Sequence, residues 1–454
     1  LAGENGVAQI PLIRDDVSKG TISLKAIDNR EVAGGQSSYE VINQFMQKKV
    51  DPLDKDRRFD VTLLINGMPM IQIELKNRNH PFMDAYRQLK KYDKGENFRG
   101  LFGMVQMFVC TNGVDTQYIA ADTIDKLNER FLTSWIDKDN HPVNDYLDFA
   151  KEVLSIPAAH NMVGKYSVMD KTREKVILLR PYQIHAIEAI RRASCMGRSG
   201  FIWHTTGSGK TLTSYNVTKN LLDIASIDKT LFLIDRKDLD TQTTTEFQSY
   251  AETDSIDVDE TTNTYDLEKK LLDNRKQAIV TTIQKLQNIM KRYSDKAVEA
   301  NPKLKTKHDK LRNLRIAFIV DECHRTVSAE TKRLLERYFS DSLWYGFTGT
   351  PIFAENRKSV KGDLPDTTEK QYGECLHNYT IKEAIKNKAV LGFNVEMMDN
   401  YTDDNLRNLI VELKLESEQG VSYLSREEIE QKVLSYYSSK GKDFYGSIDH
   451  KKAV

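Results

Sequence analysis

The sequence predicts an α/β protein in which a small mixed-sheet domain over residues 1–155 precedes a larger parallel α/β lobe over 176–395, with 156–175 a linker and 396–454 mostly helical. Two observations carry this. In the first part, the turn signal Asn66-Gly67 joins two β-rich runs, the strongest short-range mark of a hairpin. From Pro181 onward, helical and buried-strand patterns alternate, as crossover helices on a parallel sheet require.

The elements follow in order. FDVTLLINGMPMIQIEL reads as a strand pair over 59–75, DAYRQLKKY as a helix and GMVQMFVCTNG as a strand closing on a turn. In the second part YQIHAIEAIRRA is helical, GFIWHT a strand, TLTSYNVTKNLLDIA helical, and TLFLIDR, QAIVTT, RIAFIVDE and LWYGFTGT are strands. The basic stretch Lys285–Arg315 reads as a solvated, mobile excursion between two strands, the alternative being a track that contacts DNA. No repeat or low-complexity segment interrupts the pattern.

At 454 residues with 29% charged side chains, the chain is long enough for two or three domains with their own cores. It has no apolar run of membrane-spanning length and no signal-peptide pattern, so no membrane association and a cytoplasmic location are expected. Cys110, Cys195, Cys323 and Cys375 share no paired spacing, which argues against a disulfide framework or a zinc site. The net charge of zero gives no whole-chain signal for nucleic acid. The chain starts at Leu1 without methionine and reads as a piece of something longer.

Two clusters carry chemistry. Thr206-Gly207-Ser208-Gly209-Lys210-Thr211 lies between a predicted strand and a predicted helix, the setting of a phosphate-binding loop. Its glycines let backbone N–H groups approach phosphates, Lys210 would reach the β and γ phosphates of ATP, and Thr211 would ligate Mg²⁺. His204 stands where a first glycine is common. Farther on, Asp321-Glu322-Cys323-His324 ends a hydrophobic strand: Asp321 would hold Mg²⁺, Glu322 would orient and deprotonate the attacking water, and His324 would relay to the rest of the machine.

The second cluster is Asp60, Glu74 and Lys76. Phosphodiester hydrolysis with Mg²⁺ needs carboxylates for the metal and gains from a nearby cation. If the Asn66-Gly67 turn folds the two runs together, Asp60 lies beside Glu74, and Glu74 and Lys76 share a strand face. The same alternation, with Gln72 and Glu74 on one face, is also what an ordinary solvated strand would show.

These residues carry two resemblances. DECH, with LRPYQ, DRKDLDTQ, TTIQKL and the run Phe347-Thr348-Gly349-Thr350-Pro351, resembles the helicase superfamily of DEAD and DEAH boxes, which implies a RecA-like lobe. That resemblance implies that Gln183 reads adenine, that Asp235, Arg236 and Gln242 contact the DNA track, and that Thr348 and Thr350 couple hydrolysis to movement. RRFDVTLLINGMPMIQIELKN resembles the PD-(D/E)xK nuclease motif as found in type I restriction enzyme R subunits, with Asp60, Glu74 and Lys76 in the motif positions. Gln88 and Tyr92 match its Q-x-x-x-Y element, and their i, i+4 spacing puts them on one helix face, where they could contact DNA or brace the site. Phe59 stands where the motif usually has proline.

The order of the two clusters, nuclease before motor, resembles R subunits and differs from type III restriction subunits. The resemblance implies an ATP- and Mg²⁺-dependent motor that pulls double-stranded DNA while bound to modification (methyltransferase) and specificity subunits, then cuts at a distance. A helicase or remodelling ATPase with an inert N-terminal DNA-binding module is the alternative. It also implies that 396–454 connects to a second RecA-like lobe and contains its start. No arginine motif of that lobe precedes Val454, so the chain as given is expected to bind ATP weakly and to hydrolyse it poorly.

Overall fold

A computed structural model describes residues 9–13, 21–25, 27, 35, 37–49, 56–94, 100–123, 126–170, 175–234, 249–250, 258–261, 263–356 and 362–390. Contacts divide the chain into Leu1–Leu391 and Gly392–Val454, and the second unit lies outside the described residues. Asp235, Arg236, Gln242 and the expected start of a second lobe therefore also lie outside them, as does the side chain of Tyr92.

The first sheet is built around the hairpin. Strands β3 (Tyr39–Gln47), β4 (Arg57–Ile65), β5 (Met68–Leu75), β6 (Met107–Thr111), β7 (Thr116–Ala120), β8 (Thr133–Ile136) and β9 (Pro142–Val143) lie in that order, while β1 (Gln9–Ile13) and β2 (Thr21–Lys25) form a separate pair. Asn66 and Gly67 both have positive φ, 52° and 76°, as the two central residues of a type I′ turn must. The pair β5/β6 is parallel, and every other neighbour in this sheet is antiparallel. A parallel pair needs a crossover, and helix α1 (Met83–Lys94) supplies it. Its Ala85, Tyr86 and Leu89 pack with Phe59, Phe108 and Cys110.

The second sheet is wholly parallel. Its order is β14 (Val258–Glu260), β15 (Gln277–Thr282), β13 (Lys229–Ile234), β16 (Ile316–Val320), β17 (Ser342–Thr348), β12 (Gly200–His204) and β18 (Cys375–Tyr379). All residues of β13, β15 and β16 are buried, which is why they read as unbroken apolar or Thr/Gln-punctuated runs instead of alternating ones. After the short α2 (Tyr146–Phe149) and α3 (Ala158–Gly164), the long helices beside this sheet are α4 (Pro181–Cys195) and α5 (Lys210–Leu221).

Two expectations are corrected here. The stretch 156–175 is no linker: it carries α3, and β10 (Ser167–Asp170) pairs with β11 (Lys175–Leu178). Ala159, Met162 and Val163, spaced for one helix face, bury in a core that joins Ile71, Met107 and Tyr118 of the first sheet to Ile187 and Ile202 of the parallel lobe. Tyr118 also donates its hydroxyl to the Leu179 carbonyl at 2.9 Å. The basic stretch after Lys285 is likewise no solvated excursion but three helices, Ile283–Arg292, Asp295–Ala300 and Lys305–Arg312, with Leu286, Ile289 and Leu311 fully buried. Glu268 absorbs part of its charge, accepting from Arg292 at 2.6 Å, Lys307 at 3.0 Å and the Tyr293 hydroxyl at 2.5 Å. No helix among the described residues is long and apolar enough to cross a membrane.

Replacing Glu268 with alanine would leave a buried hydroxyl and two cations without their acceptor. We expect Glu268→Ala to lower unfolding stability by about 2 kcal/mol, measured by urea denaturation; an unchanged midpoint would show that the brace contributes nothing.

Candidate functional site

The antiparallel register β4/β5 pairs Val61 with Ile73 and so sets Asp60 beside Glu74. Asp60 Oδ2 accepts the Leu75 backbone N–H at 2.9 Å, which locks the carboxylate at the strand end. Glu74 has no exposure at all and Gln72 beside it is equally buried. This is not a solvated strand face: β5 is covered on both sides from Met68 to Glu74. Gln72 is satisfied by Thr62, whose hydroxyl donates to it at 2.6 Å.

Burial first, and then the neighbouring Asp60 carboxylate, push the Glu74 carboxyl up to about 8, with Lys76 opposing both. Lys76 Nζ lies 3.2 Å from Glu74 Oε1 and also donates to Gln88 Oε1 from α1. Its backbone N–H is held by the Thr111 carbonyl of β6 at 2.8 Å. Four residues expected to act together from the sequence, Asp60, Glu74, Lys76 and Gln88, are thus in one place. Two carboxyls and one ammonium converge where an ordinary core would put apolar atoms, and such an all-oxygen donor pair suits a hard divalent cation.

The phosphate loop leaves the end of β12 and opens α5. Gly207 and Gly209 have φ of +79° and +77°, a left-handed backbone that glycine adopts without steric cost. Ser208 is buried between them: its hydroxyl donates to the Thr205 carbonyl at 2.6 Å, and its own carbonyl accepts from Tyr182 at 2.7 Å. Gln183 accepts the Arg180 N–H at 2.9 Å and donates to the Gly209 carbonyl at 3.3 Å. With Gly207, Ser208 and Gly209 it lines a cavity of about 600 Å³. Thr206 is exposed, and Thr211 is partly buried in the first turn of α5.

β16 and β12 are separated only by β17, so the acidic motif and the loop emerge at the same edge of the sheet, where ligands of open parallel sheets bind. Asp321 accepts the Glu322 N–H at 2.9 Å. Glu322 sits in the left-handed region, φ 42° and ψ 51°, uncommon for a side chain of its size. From there its carboxylate reaches Lys210 Nζ at 3.1 Å. His324 Nδ1 lies 3.0 Å from the Thr348 hydroxyl, which also accepts the Thr350 N–H at 3.1 Å. Gly349 lies so close to the loop that an added Cβ would stand 3.2 Å from the His204 carbonyl oxygen. The segment Thr348–Thr350 therefore touches both the acidic motif and the loop.

Sequence reading missed what surrounds the loop. Tyr182 stacks on Tyr379 at 3.8 Å between ring centres, and His204 Nε2 lies 2.9 Å from His377 Nδ1. No sequence pattern links residues 173 positions apart.

Residues 4–126 match the type I restriction enzyme R protein N-terminus family, and residues 182–428 match the SWI2/SNF2 ATPase family. The chain is 37% identical over 399 residues to a type I restriction enzyme endonuclease subunit of Staphylococcus saprophyticus subsp. saprophyticus, covering 88% of this chain and 40% of that one. A subunit from Staphylococcus aureus matches at 38% identity with the same coverage. A type I restriction enzyme endonuclease subunit of Escherichia coli is 37% identical over 159 residues, 34% of this chain and 49% of that one. The chain thus spans about 40% of the length of the staphylococcal relatives. With these matches extending over the residues that build both clusters, the chain belongs to the family of type I restriction enzyme endonuclease (R) subunits.

Proposed function

We propose that the full-length protein is an ATP-driven DNA translocase and endonuclease which, bound to modification and specificity subunits, cuts unmodified double-stranded DNA away from its recognition site. The observation that supports this most is the buried Glu74 held against Asp60 and Lys76 in the same compact unit as a phosphate loop whose Lys210 meets Glu322.

At the cutting site Asp60 and Glu74 would hold Mg²⁺. When bound, the ion supplies the positive charge that offsets charge building on the phosphodiester. Lys76, braced by Gln88, adds a second positive charge at the reacting phosphate, and Tyr92 on the same helix is proposed to support it. At the motor site the loop from Thr206 to Thr211 would receive ATP phosphates on its backbone N–H groups, with Gln183 reading the adenine and Thr211 and Asp321 holding the nucleotide's Mg²⁺. Lys210 would exchange Glu322 for phosphate oxygens, leaving Glu322 to orient and deprotonate water. Through the Thr348 hydroxyl, His324 would pass the state of that site to Thr350 and the DNA track, to which Asp235, Arg236 and Gln242 are assigned.

Three outcomes test this reading. In the full-length protein assembled with its partners, Lys76→Ala should lower cleavage at least about a hundredfold while ATP turnover stays within about twofold; DNA still cut at the normal rate would remove Lys76 from the reaction. Lys210→Ala should reduce ATP hydrolysis about a hundredfold, and with it any cutting that depends on movement; persistent turnover would refute the phosphate-loop assignment. The third uses Glu74. Its folded-state carboxyl keeps a proton up to about pH 8, against an ordinary value of 4.5, so between these values the unfolded state binds fewer protons and stability falls as pH rises. Without divalent ions, the stability difference between Glu74→Gln and wild type should grow by on the order of 2 kcal/mol from pH 5.5 to 7.5, and equal slopes in denaturation would show that Glu74 titrates normally.

A further inference from the structure

Three histidines on three different elements line up between the phosphate loop and the first sheet. His204 ends β12, fully buried, with its ring edge-on to Tyr182 and Tyr379. Its Nε2 meets His377 Nδ1 of β18 at 2.9 Å. The ring of His185, on α4, lies 6.2 Å from that of His377, and its Nε2 is 2.8 Å from the carbonyl oxygen of Ile136, the last residue of β8. A carbonyl only accepts, so His185 carries its proton on Nε2. The ring of Trp135, one residue back in β8, meets His185 edge-on at 5.5 Å.

The His204–His377 contact shares one proton. Whichever ring donates it, the outer nitrogens, Nδ1 of His204 and Nε2 of His377, are buried and have no hydrogen-bond partner among the described residues. Burial keeps both rings neutral, pushing His377 down to about 3 and His204 well below the usual range. An apolar pair would fill the same space without unsatisfied atoms, and such exceptions concentrate where a structure serves function. From Ile136 the path continues along one row of the sheet. Two residues back in β8, Ser134 accepts from Gln117 Nε2 at 3.0 Å. Gln117 is the cross-strand partner of Cys110, and Cys110 that of Glu74.

We propose that His204, His377 and His185 are positioning residues that tie the phosphate loop to the β8 end of the first sheet, so that the conformation of the loop sets the geometry at Glu74. The inference rests on the two-site function proposed above and adds the link that lets the nucleotide site govern cutting. The row runs through hydrogen bonds and ring contacts from His204 to Ile136, then along β8 to Ser134 and Gln117 and through cross-strand neighbours to Glu74, so its two ends belong to the two sites it joins.

The test uses the full-length protein assembled with its modification and specificity partners. His377→Ala should lower DNA cleavage about tenfold while ATP turnover stays within about twofold. His377→Asn, whose amide keeps a polar atom near the Nδ1 position, should restore most of the cleavage. At the other end of the row, His185→Phe, which keeps ring volume but not the donor, should uncouple in the same way, and His185→Gln should recover. Unchanged cleavage in both damaging variants, or equal loss of both activities without rescue by Asn or Gln, would overturn the proposal in favour of simple core packing. If His377→Ala does not fold, the His185 pair decides. Amide exchange over 133–136 gives a readout that needs no cutting: it should respond to added ATP in wild type and not in the uncoupled variants. A wild type that shows this response yet never cuts would count against the nuclease reading and leave the link standing; the same response in wild type and variants would sink the link itself.

Discussion

The apolar core that runs from the first sheet into the parallel lobe is the contact on which the rest of the structure depends. Ile71, Met107 and Tyr118 on one side and Ile187 and Ile202 on the other meet through Met162 and Val163 of α3. Close-packed interiors transmit displacement instead of absorbing it. Two domains on a flexible tether would hold the two clusters in no fixed relation, whereas a shared core gives each a fixed place relative to the other. The Tyr118–Leu179 and His185–Ile136 hydrogen bonds cross the same junction and fix its register.

That core also explains the electrostatics of the first cluster. A strand at the middle of a sheet, covered by α1 on one face and by the shared core on the other, places Glu74 in low dielectric beside Asp60. Burial of a carboxyl without enough opposite charge is unfavourable. Such an arrangement persists when function selects it, and the proposed metal role gives it a reason. The loop after β12 is held by its neighbours at two residues, Ser208 by Tyr182 and Thr205 and Lys210 by Glu322.

The segment Thr348–Thr350 illustrates how a parallel sheet brings polar residues together. Because β16, β17 and β12 are adjacent and parallel, the residues following each strand converge at one edge. Gly349 lies where a Cβ would crowd the His204 carbonyl and the Thr206 N–H, while Thr348 hydrogen-bonds His324 from the neighbouring strand's motif. The residues after two neighbouring strands are thereby within hydrogen-bond reach of each other.

Much of this was legible in the amino-acid order. Asn66-Gly67 dictated the hairpin because two consecutive positive φ values are open to few residue pairs, and the glycines at 207 and 209 marked a loop for the same reason. Alternating helix and strand patterns announced the parallel sheet, since each is a local property of a dozen residues. What lay beyond reach was set by distance in sequence. Whether Glu74 faced water or core depended on α1 and on a second sheet, and the alternating pattern around it fitted both. The strands β8 and β9, of four and two residues, are too short for periodicity to speak, and the apolar positions of 156–175 gain meaning only against the surfaces they join. The histidine row is the extreme case: a ring at 204 and a ring at 377 have no relation in the chain, and only the placement of β18 beside β12 brings their nitrogens within a hydrogen bond. Local backbone preference is written residue by residue, but burial and contact belong to the folded whole.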